Sequence, residues 1–114
     1  MNRSELKKMI RGTIVTMPTA FTDDYKLDLD TMAEMTKWYI SEGLGTDTSP
    51  LKVAAAMGEG PDLADDELAP LLKCVIDAAD GKANVICALK AKNTMHTIED
   101  AKMAQDMGAI GLQI

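Results

Sequence analysis

The chain has 114 residues, of which 46% are hydrophobic and 26% are charged, and its formal net charge at pH 7 is −6. This composition predicts one soluble globular domain at most, and the acidic balance argues against a nucleic-acid partner, because phosphate binding requires clustered Lys and Arg. No apolar run approaches the ~20 residues of a membrane span, so we expect no membrane partner and a cytoplasmic location.

The two cysteines predict neither a metal site nor a redox pair. Cys74 lies within a helical pattern and Cys87 within a strand-like pattern, and their spacing fits no metal-binding motif. We therefore expect reduced, buried, structural thiols, with no metal and no cofactor.

The amino-terminal part predicts a short helix, a strand and a longer helix. Residues 1–11 contain one or two helical turns with Ser4 as N-cap, and the β-branched run at 13–17 predicts the first strand. An amphipathic pattern then begins at Asp28 or Asp30 and ends at a pair of glycines, which predicts the second helix.

The stretch Leu51 to Leu63 is the first place to look for function. Its apolar run of small residues, Val53 to Met57, predicts a buried second strand near 51–57, which breaks into a glycine-rich loop. In parallel α/β folds the loops at the carboxyl ends of the strands carry the chemistry. Glu59, the acid that lies between two glycines in this loop, is therefore a candidate functional residue.

A strongly one-sided helix follows this loop. It starts near Asp65, and Pro70 is compatible only with its first turns, so we expect an irregular start. Its apolar stripe fits the i, i+3, i+4 spacing and comprises Leu68, Leu71, Leu72, Val75, Ile76 and Ala79.

The last part of the chain predicts a strand, a helix and a strand. The third strand spans 84–89, and Thr94 or Thr97 caps a helix whose inward residues are Ile98, Ala101 and Met107. The fourth strand spans 110–114.

The resulting order, β-α-β-α-β-α-β, predicts a parallel sheet covered by helices. Two architectures fit the pattern: an open doubly wound sheet, or the first part of an eight-stranded barrel, which typically needs ~250 residues. The pattern alone does not choose between them. A terminal strand without a following helix, however, favours an incomplete unit.

Several motifs in order resemble the dihydrodipicolinate synthase and N-acetylneuraminate lyase family. The segment PTAFTDD at 18–24 is similar to the family's PTPFTDDG, and AAMGE at 55–59 stands in the place of its GTTGE. The segment GPDLADDE at 60–67 resembles the SPTLSDEE that follows, and residues 85–102 and 108–114 resemble the third strand and helix and the GADGVLV of strand four.

The resemblance implies an α/β fold, the (β/α)8 TIM barrel, of which residues 1–114 would be the amino-terminal part with about three and a half βα units. It also implies a Schiff-base-forming, class I aldolase-like lyase that acts on pyruvate or another 2-oxo acid, commonly as a homo-oligomer. The imine lysine and the relay tyrosine of the family would lie beyond Ile114. We therefore expect no catalytic residue within the chain, a fragment of a longer enzyme, and no activity from the 114 residues alone.

The resemblance also assigns site residues. Ala56 and Met57 replace the two threonines of the motif, so only their backbone N–H groups, turned by Gly58, could hold a substrate carboxylate. A standard dihydrodipicolinate synthase activity is therefore not expected, whereas a related aldolase, lyase or dehydratase activity is. Thr19 would line the pocket or cap the loop. Glu59 would be structural, holding the loop through hydrogen bonds to the backbone.

Lysines at the end of strand three give a weaker site hypothesis. If Leu89 faces the helices, Lys90 points into the barrel mouth, where a buried lysine could form an imine, but Lys90 and Lys92 are expected to be solvated. His96 is expected on the surface, outside any cluster. The alternative to the enzyme hypothesis is a non-catalytic α/β module that stands alone or self-associates as a half barrel.

Overall fold

The computed structural model of the chain describes residues 1–46, 48–90 and 92–114, and these form a four-stranded sheet with its helices. The strands are β1 (Val15–Thr16), β2 (Leu51–Val53), β3 (Val85–Ala88) and β4 (Gly111–Gln113). The helices are α1 (Arg3–Met9), α2 (Leu29–Ser41), α3 (Leu68–Ala79) and α4 (Thr94–Met107). No helix in the described ranges has the length and apolar character needed to cross a membrane.

The sheet is parallel throughout, and its spatial order β1-β2-β3-β4 is the order of the chain. This confirms the predicted alternation of strands and helices. Strand β1 is short by its bounds, but Thr13 N donates to Thr48 O at 3.0 Å and Met17 N donates to Lys52 O at 2.9 Å. The predicted segment 13–17 is therefore paired with the β2 side along its whole length.

The predicted second strand at 51–57 is too long. Strand β2 ends at Val53, because Ala54 adopts a left-handed conformation with φ 57° and a 3-10 turn begins at Ala56. A left-handed residue rotates the chain out of the pleat and ends regular pairing. The run Ala54 to Met57 is apolar and small, as a buried strand would be, yet it forms the start of the exit loop.

The hydrophobic core lies between one face of the sheet and helices α2, α3 and α4. Strand residues on this face are buried, among them Leu51 and Val53 on β2 and Val85 and Cys87 on β3. The α3 stripe is confirmed, since Leu68, Leu71, Leu72, Val75 and Ala79 are buried. Truncation of a fully buried leucine such as Leu71 to alanine costs about 2–5 kcal/mol, so this layer dominates the stability of the unit.

The one-sided arrangement decides between the two predicted architectures. Helices α2 and α3 pack together, as do α3 and α4, on the same face of a sheet whose strands follow chain order. A doubly wound sheet has helices on both faces and a change in strand order. A sheet with sequential strands and helices on one face is a segment of a (β/α)8 barrel.

The helix ends follow local capping chemistry, with some departures from prediction. Asn2, not Ser4, caps α1: its side chain accepts from Glu5 N at 3.0 Å, and Glu5 Oε2 accepts from Asn2 N at 2.8 Å. Asp28 caps α2 by accepting from Thr31 N at 3.0 Å, which settles the choice between Asp28 and Asp30.

Helix α3 begins at Leu68, three residues beyond Asp65, after a succession of turns. Pro70 lies in its first turn, where a missing N–H costs nothing, and the predicted irregular start is confirmed. Helix α4 is capped by Asn93, whose Oδ1 accepts from His96 N at 2.9 Å, and not by Thr94 or Thr97. Asparagine is a stronger N-cap than threonine, which accounts for the difference.

The opposite face of the sheet carries no helix along most of its length. The register places Thr16, Lys52 and Ile86 side by side on this face, and Ala88 lies one pleat further along β3. Helix α1 reaches only the amino-terminal end of the sheet, where Asn84 Nδ2 donates to Met9 O at 3.4 Å. We call this the open face, although Ile86 and Ala88 on it are buried.

The β4 edge of the sheet carries exposed apolar side chains. Ile98, predicted to face inward, is 40% exposed beside Leu112, which is 42% exposed. Ala101 and Met107 do pack against the core as predicted. Ile98 differs from them because α4 turns it toward the unpaired β4 edge, where the described residues provide no neighbouring helix.

Candidate functional site

The exit loop of β2, residues 54–63, has a backbone of tight turns. Two 3-10 turns, Ala56–Gly58 and Gly60–Asp62, are joined at Glu59, which is left-handed with φ 64°. Ala54 is left-handed as well. Each left-handed non-glycine residue costs roughly 1–2 kcal/mol, so the surrounding contacts must hold this loop in place.

Two glycines allow the loop to lie directly on the backbone of the strands. A Cβ on Gly58 would be 2.3 Å from Met17 O, and a Cβ on Gly60 would be 1.7 Å from Ala54 O. Neither distance is possible for a real side chain. The two positions therefore require glycine because of close backbone approach, and they fix the loop against the ends of β1 and β2.

Thr19 ties the loop after β1 to the loop after β2. Its side chain is only 7% exposed, and its Oγ1 donates a hydrogen bond of 2.6 Å to Gly58 O. This hydrogen bond is the contact expected if Thr19 caps the loop. A buried hydrogen bond across 39 positions of sequence joins two of the segments predicted to form the site.

Ala56 and Met57 lie at the exposed start of the first 3-10 turn. The Met57 side chain is 93% exposed, and Ala56 is exposed too. The carbonyl of Ala55 accepts from Gly58 N at 2.8 Å and from Gly60 N at 3.0 Å, whereas the N–H groups of the first residues of such a turn have no intrahelical acceptor. The turn thus presents N–H groups at the carboxyl end of the sheet.

Ala56 borders a groove of about 460 Å³ at the carboxyl ends of β2, β3 and β4. Its lining comprises Ala54, Ala56, Gly60, Pro61, Ala88, Leu89, Lys90, Gln113 and Ile114. Of the predicted substrate-binding residues, Ala56 lines this groove together with Lys90, whereas Met57, Gly58 and Thr19 are not part of its lining.

Glu59 is exposed, and its ordered contact is made by its backbone, whose carbonyl accepts from Asp62 N at 3.1 Å. Among the described residues its carboxylate has no hydrogen-bond partner, so the expected side-chain hydrogen bonds to the loop backbone are not formed. The contribution of Glu59 to the loop is its left-handed conformation between the two turns.

Lys90 contacts the β2 exit loop. Leu89 is 7% exposed and belongs to the helix-facing core, which is the condition under which Lys90 was expected at the mouth. Lys90 is exposed, and its Nζ donates to Leu63 O at 3.1 Å. The ammonium group therefore binds a backbone carbonyl of the neighbouring loop.

A second, smaller cavity of about 190 Å³ lies between this loop and α4, and charged side chains surround it. Lys92 forms an ion pair with Asp65 across the cavity wall. His96 is exposed as expected, and it also lines this cavity. The titratable side chains in its lining are those of Asp65, Lys90, Lys92, His96, Glu99 and Asp100.

Asp65, Glu99 and Asp100 were not predicted to lie together. The i, i+3, i+4 spacing on α4 places His96, Glu99 and Asp100 on one face of the helix. This spacing could have predicted from the sequence that the three side chains lie near one another. Their meeting with Asp65 depends on how α4 packs beside the β2 exit loop. The described residues contain no group of three or more His, Cys, Asp or Glu side chains arranged to hold a metal ion.

The cysteines lie apart from both cavities. Cys87 is fully buried, and burial, followed by the charge of Asp100, raises the pKa of its thiol to about 12. Cys74 is partly buried, and its Sγ donates to Leu29 O at 3.2 Å. Burial, with smaller effects from Asp77 and Asp30, raises the pKa of the Cys74 thiol. Both thiols are free, and the expectation of burial is met fully only by Cys87.

Comparison with known proteins agrees with this geometry. The chain is 36% identical over 104 residues to the 4-hydroxy-tetrahydrodipicolinate synthase of Acidothermus cellulolyticus, covering 90% of the chain and 32% of that protein. It is 34% identical over 102 residues to 4-hydroxy-tetrahydrodipicolinate synthase 2 of Streptomyces coelicolor, covering 89% of the chain and 33% of that protein. The chain thus spans about a third of the length of the curated relatives it matches.

Solved structures give the same result for the fold. YagE, a prophage protein of the dihydrodipicolinic acid synthase family from E. coli K12 solved in complex with pyruvate, superposes with a TM-score of 0.81 at 28% identity, covering 91% of the chain and 34% of YagE. Dihydrodipicolinate synthase from Thermotoga maritima superposes with a TM-score of 0.78 at 28% identity, covering 91% of the chain and 34% of that protein. The sequence model of the Dihydrodipicolinate synthetase family matches residues 9–114. The chain belongs to the dihydrodipicolinate synthetase family, and its four strands with their helices have the fold of part of that family's (β/α)8 barrel.

Proposed function

We propose that this chain forms the amino-terminal part of a Schiff-base-forming lyase that acts on pyruvate or another 2-oxo acid. Family membership supports a lyase of this kind, and the related protein YagE was solved with pyruvate. In this proposal the β2 exit loop binds the substrate carboxylate, and the imine lysine and relay tyrosine come from polypeptide beyond Ile114.

One observation carries the assignment of the carboxylate site. The N–H groups of Ala56 and Met57 begin a 3-10 turn at the exposed end of the sheet, beside a groove, and the turn is held by Thr19 and by the close approach of Gly58. N–H groups fixed in this way bind an anion without a reorganisation cost. The carboxylate of a 2-oxo acid is such an anion.

The two side chains at the site suggest a reaction other than the standard synthase reaction. Ala56 and Met57 have no hydroxyl group, whereas the motif they resemble has a threonine at each position. A proton relay through these hydroxyls cannot operate here. An aldolase, lyase or dehydratase acting on a different 2-oxo acid needs only the carboxylate contact from this loop, together with an amine that condenses with the C2 carbonyl and releases water.

The carboxylate site can be tested on the 114-residue chain by NMR. Titration with pyruvate should shift the amide signals of Ala56 and Met57 more than those of exposed amides remote from the sheet end, such as Gly43. Replacing Ala56 with proline removes one N–H, and the extended Ala55 that precedes it is compatible with proline at the first position of the turn. We expect A56P to lose binding and Ala56→Ser to retain it.

The lyase chemistry requires a second experiment. A longer polypeptide that continues past Ile114 and supplies the remaining strands should form a borohydride-trapped adduct with pyruvate, detected by mass spectrometry, and the 114-residue chain should not. Absence of an adduct in a folded, complete barrel would refute the lyase assignment. Equal pyruvate affinity of A56P and the parent chain would refute only the role of the loop.

A further inference from the structure

The groove at the carboxyl ends of the strands contains an ammonium group that the proposed carboxylate site does not use. Lys90 follows β3 and lines this groove together with Ala56. Gln113 is the other polar side chain of the lining, and the remaining residues are apolar or glycine: Ala54, Gly60, Pro61, Ala88, Leu89 and Ile114. Lys90 is therefore the charged side chain in a lining whose other side chains are uncharged.

Lys90 is positioned by the β2 exit loop. Its Nζ donates to the backbone oxygen of Leu63 at 3.1 Å, and Leu63 is buried. The two residues follow the central strands β3 and β2, so this contact does not depend on either edge of the sheet. An ammonium group has three N–H donors, and the contact with Leu63 O occupies one of them. The other two have no acceptor among the described residues and can bind a ligand.

No carboxylate neutralises Lys90 within the described part of the chain. Lys90 also lines the smaller cavity, but there Asp65 is paired with Lys92, and neither Glu99 nor Asp100 forms an ion pair with Lys90. A neutral backbone carbonyl leaves the positive charge uncompensated. The apolar lining of the groove strengthens the attraction of this charge for an anion, because the effective dielectric constant is lower beside apolar groups than in water.

We infer that the substrate is a 2-oxo dicarboxylic acid and that Lys90 binds its second carboxylate. This inference rests on the proposed function, in which the N–H groups of Ala56 and Met57 hold the first carboxylate. Ala56 and Lys90 line one groove of about 460 Å³, a volume typical of small-molecule sites. An ammonium group binds a carboxylate through charge-assisted hydrogen bonds. Lys90 thus determines substrate specificity and is not the imine-forming lysine.

Two probes of equal carbon number test this inference. 2-Oxoglutarate carries two carboxylates and 2-oxopentanoate carries one, so the ratio of their dissociation constants reports the contribution of the second charge. Each probe is titrated into the 114-residue chain and its variants, and binding is followed by the amide NMR signals. The dissociation constant of 2-oxopentanoate divided by that of 2-oxoglutarate should be roughly threefold lower in Lys90→Met than in the parent chain, as expected for loss of a solvent-accessible charge pair.

Lys82→Met is the matched control, because it removes the same charge at an exposed position before β3, in the lining of a different cavity. It should keep the parent ratio, which separates a local contact from the effect of net charge. Lys90→Arg should also keep the ratio, since it retains the charge and a donor for Leu63 O. An equal ratio in Lys90→Met and Lys82→Met would overturn the inference.

Ala56→Pro distinguishes failure of this inference from failure of the proposed carboxylate site. Weaker binding of both probes to A56P, with the parent ratio unchanged in Lys90→Met, would support the loop and refute the role of Lys90. A lower ratio in Lys90→Met, with equal affinity of A56P and the parent chain, would support Lys90 as an anion-binding residue and refute the role of the loop. Absence of binding of either probe to the parent chain would refute both.

Discussion

Replacing Thr19 with valine tests whether the hydrogen bond between the first two exit loops holds the candidate carboxylate site. The substitution keeps the shape of the side chain and removes the hydroxyl that donates to Gly58 O at 2.6 Å. Because Thr19 is 7% exposed, water cannot easily replace the lost donor. The carbonyl of Gly58 is left without this partner.

The expected magnitude follows from the cost of an unsatisfied buried acceptor, about 1–3 kcal/mol. The loss should be local, because the α3 stripe and the central strands do not depend on this hydrogen bond. If the loop opens independently of the core, a cost of 1–3 kcal/mol raises the rate of amide exchange in the loop roughly 5- to 150-fold.

Native-state hydrogen exchange measured by NMR provides the assay. The amides of Gly58 and Gly60, which donate to Ala55 O, should lose protection in Thr19→Val, and that of Cys87 in the central strand should change far less. Thr13→Val is the control, since Thr13 is an exposed threonine that lies just before β1 and outside the exit loops. Equal exchange in the two variants would show that the threonine hydroxyl does not hold the loop.

Four further outcomes are expected. Glu59→Gly should raise the free energy of unfolding by up to about 1 kcal/mol in urea titrations, because it removes the strain of a left-handed residue whose side chain is exposed. A lower free energy of unfolding would show that the carboxylate holds the loop. Gly60→Ala should lower it by more than about 2 kcal/mol, since its Cβ would lie 1.7 Å from a backbone oxygen, and a neutral result would contradict the close approach. Asn93→Ala should lower the free energy of unfolding by about 1 kcal/mol, and Thr94→Ala should lower it much less. A larger loss in Thr94→Ala than in Asn93→Ala would show that threonine caps α4. Cys87 should resist alkylation at pH 8, because a pKa of about 12 leaves about one thiolate in 10⁴. The contribution of its buried thiol to stability should be complete below pH ~8.5 and should fall as the pH rises toward 12. Rapid labelling of the folded chain would contradict the burial of Cys87.

The features that could be predicted from the sequence are those that local periodicity determines. The α3 stripe from Leu68 to Ala79 was identified correctly because helical spacing places these side chains on one face whatever they pack against. The strands and their order followed from apolar runs alternating with helices. The choice of the barrel over the doubly wound sheet required the positions of the helices, which one-sided periodicity does not give.

The features that could not be predicted depend on contacts between distant segments. Strand β2 ends at Val53 because Ala54 turns left-handed over the backbone of Gly60, and hydrophobicity gives no information about that conformation. The charged cavity forms because Asp65 and Lys92, far apart in sequence, meet beside α4.

The strand order of the sheet also bears on how the chain folds. Every strand pairs with the strand that precedes it in sequence, so each new pairing closes a loop no longer than one helical crossover. The ribosome synthesises the strands in this same order, so each βα unit can pack against the unit synthesised before it. The helix-facing layer can thus assemble progressively from the amino terminus during synthesis.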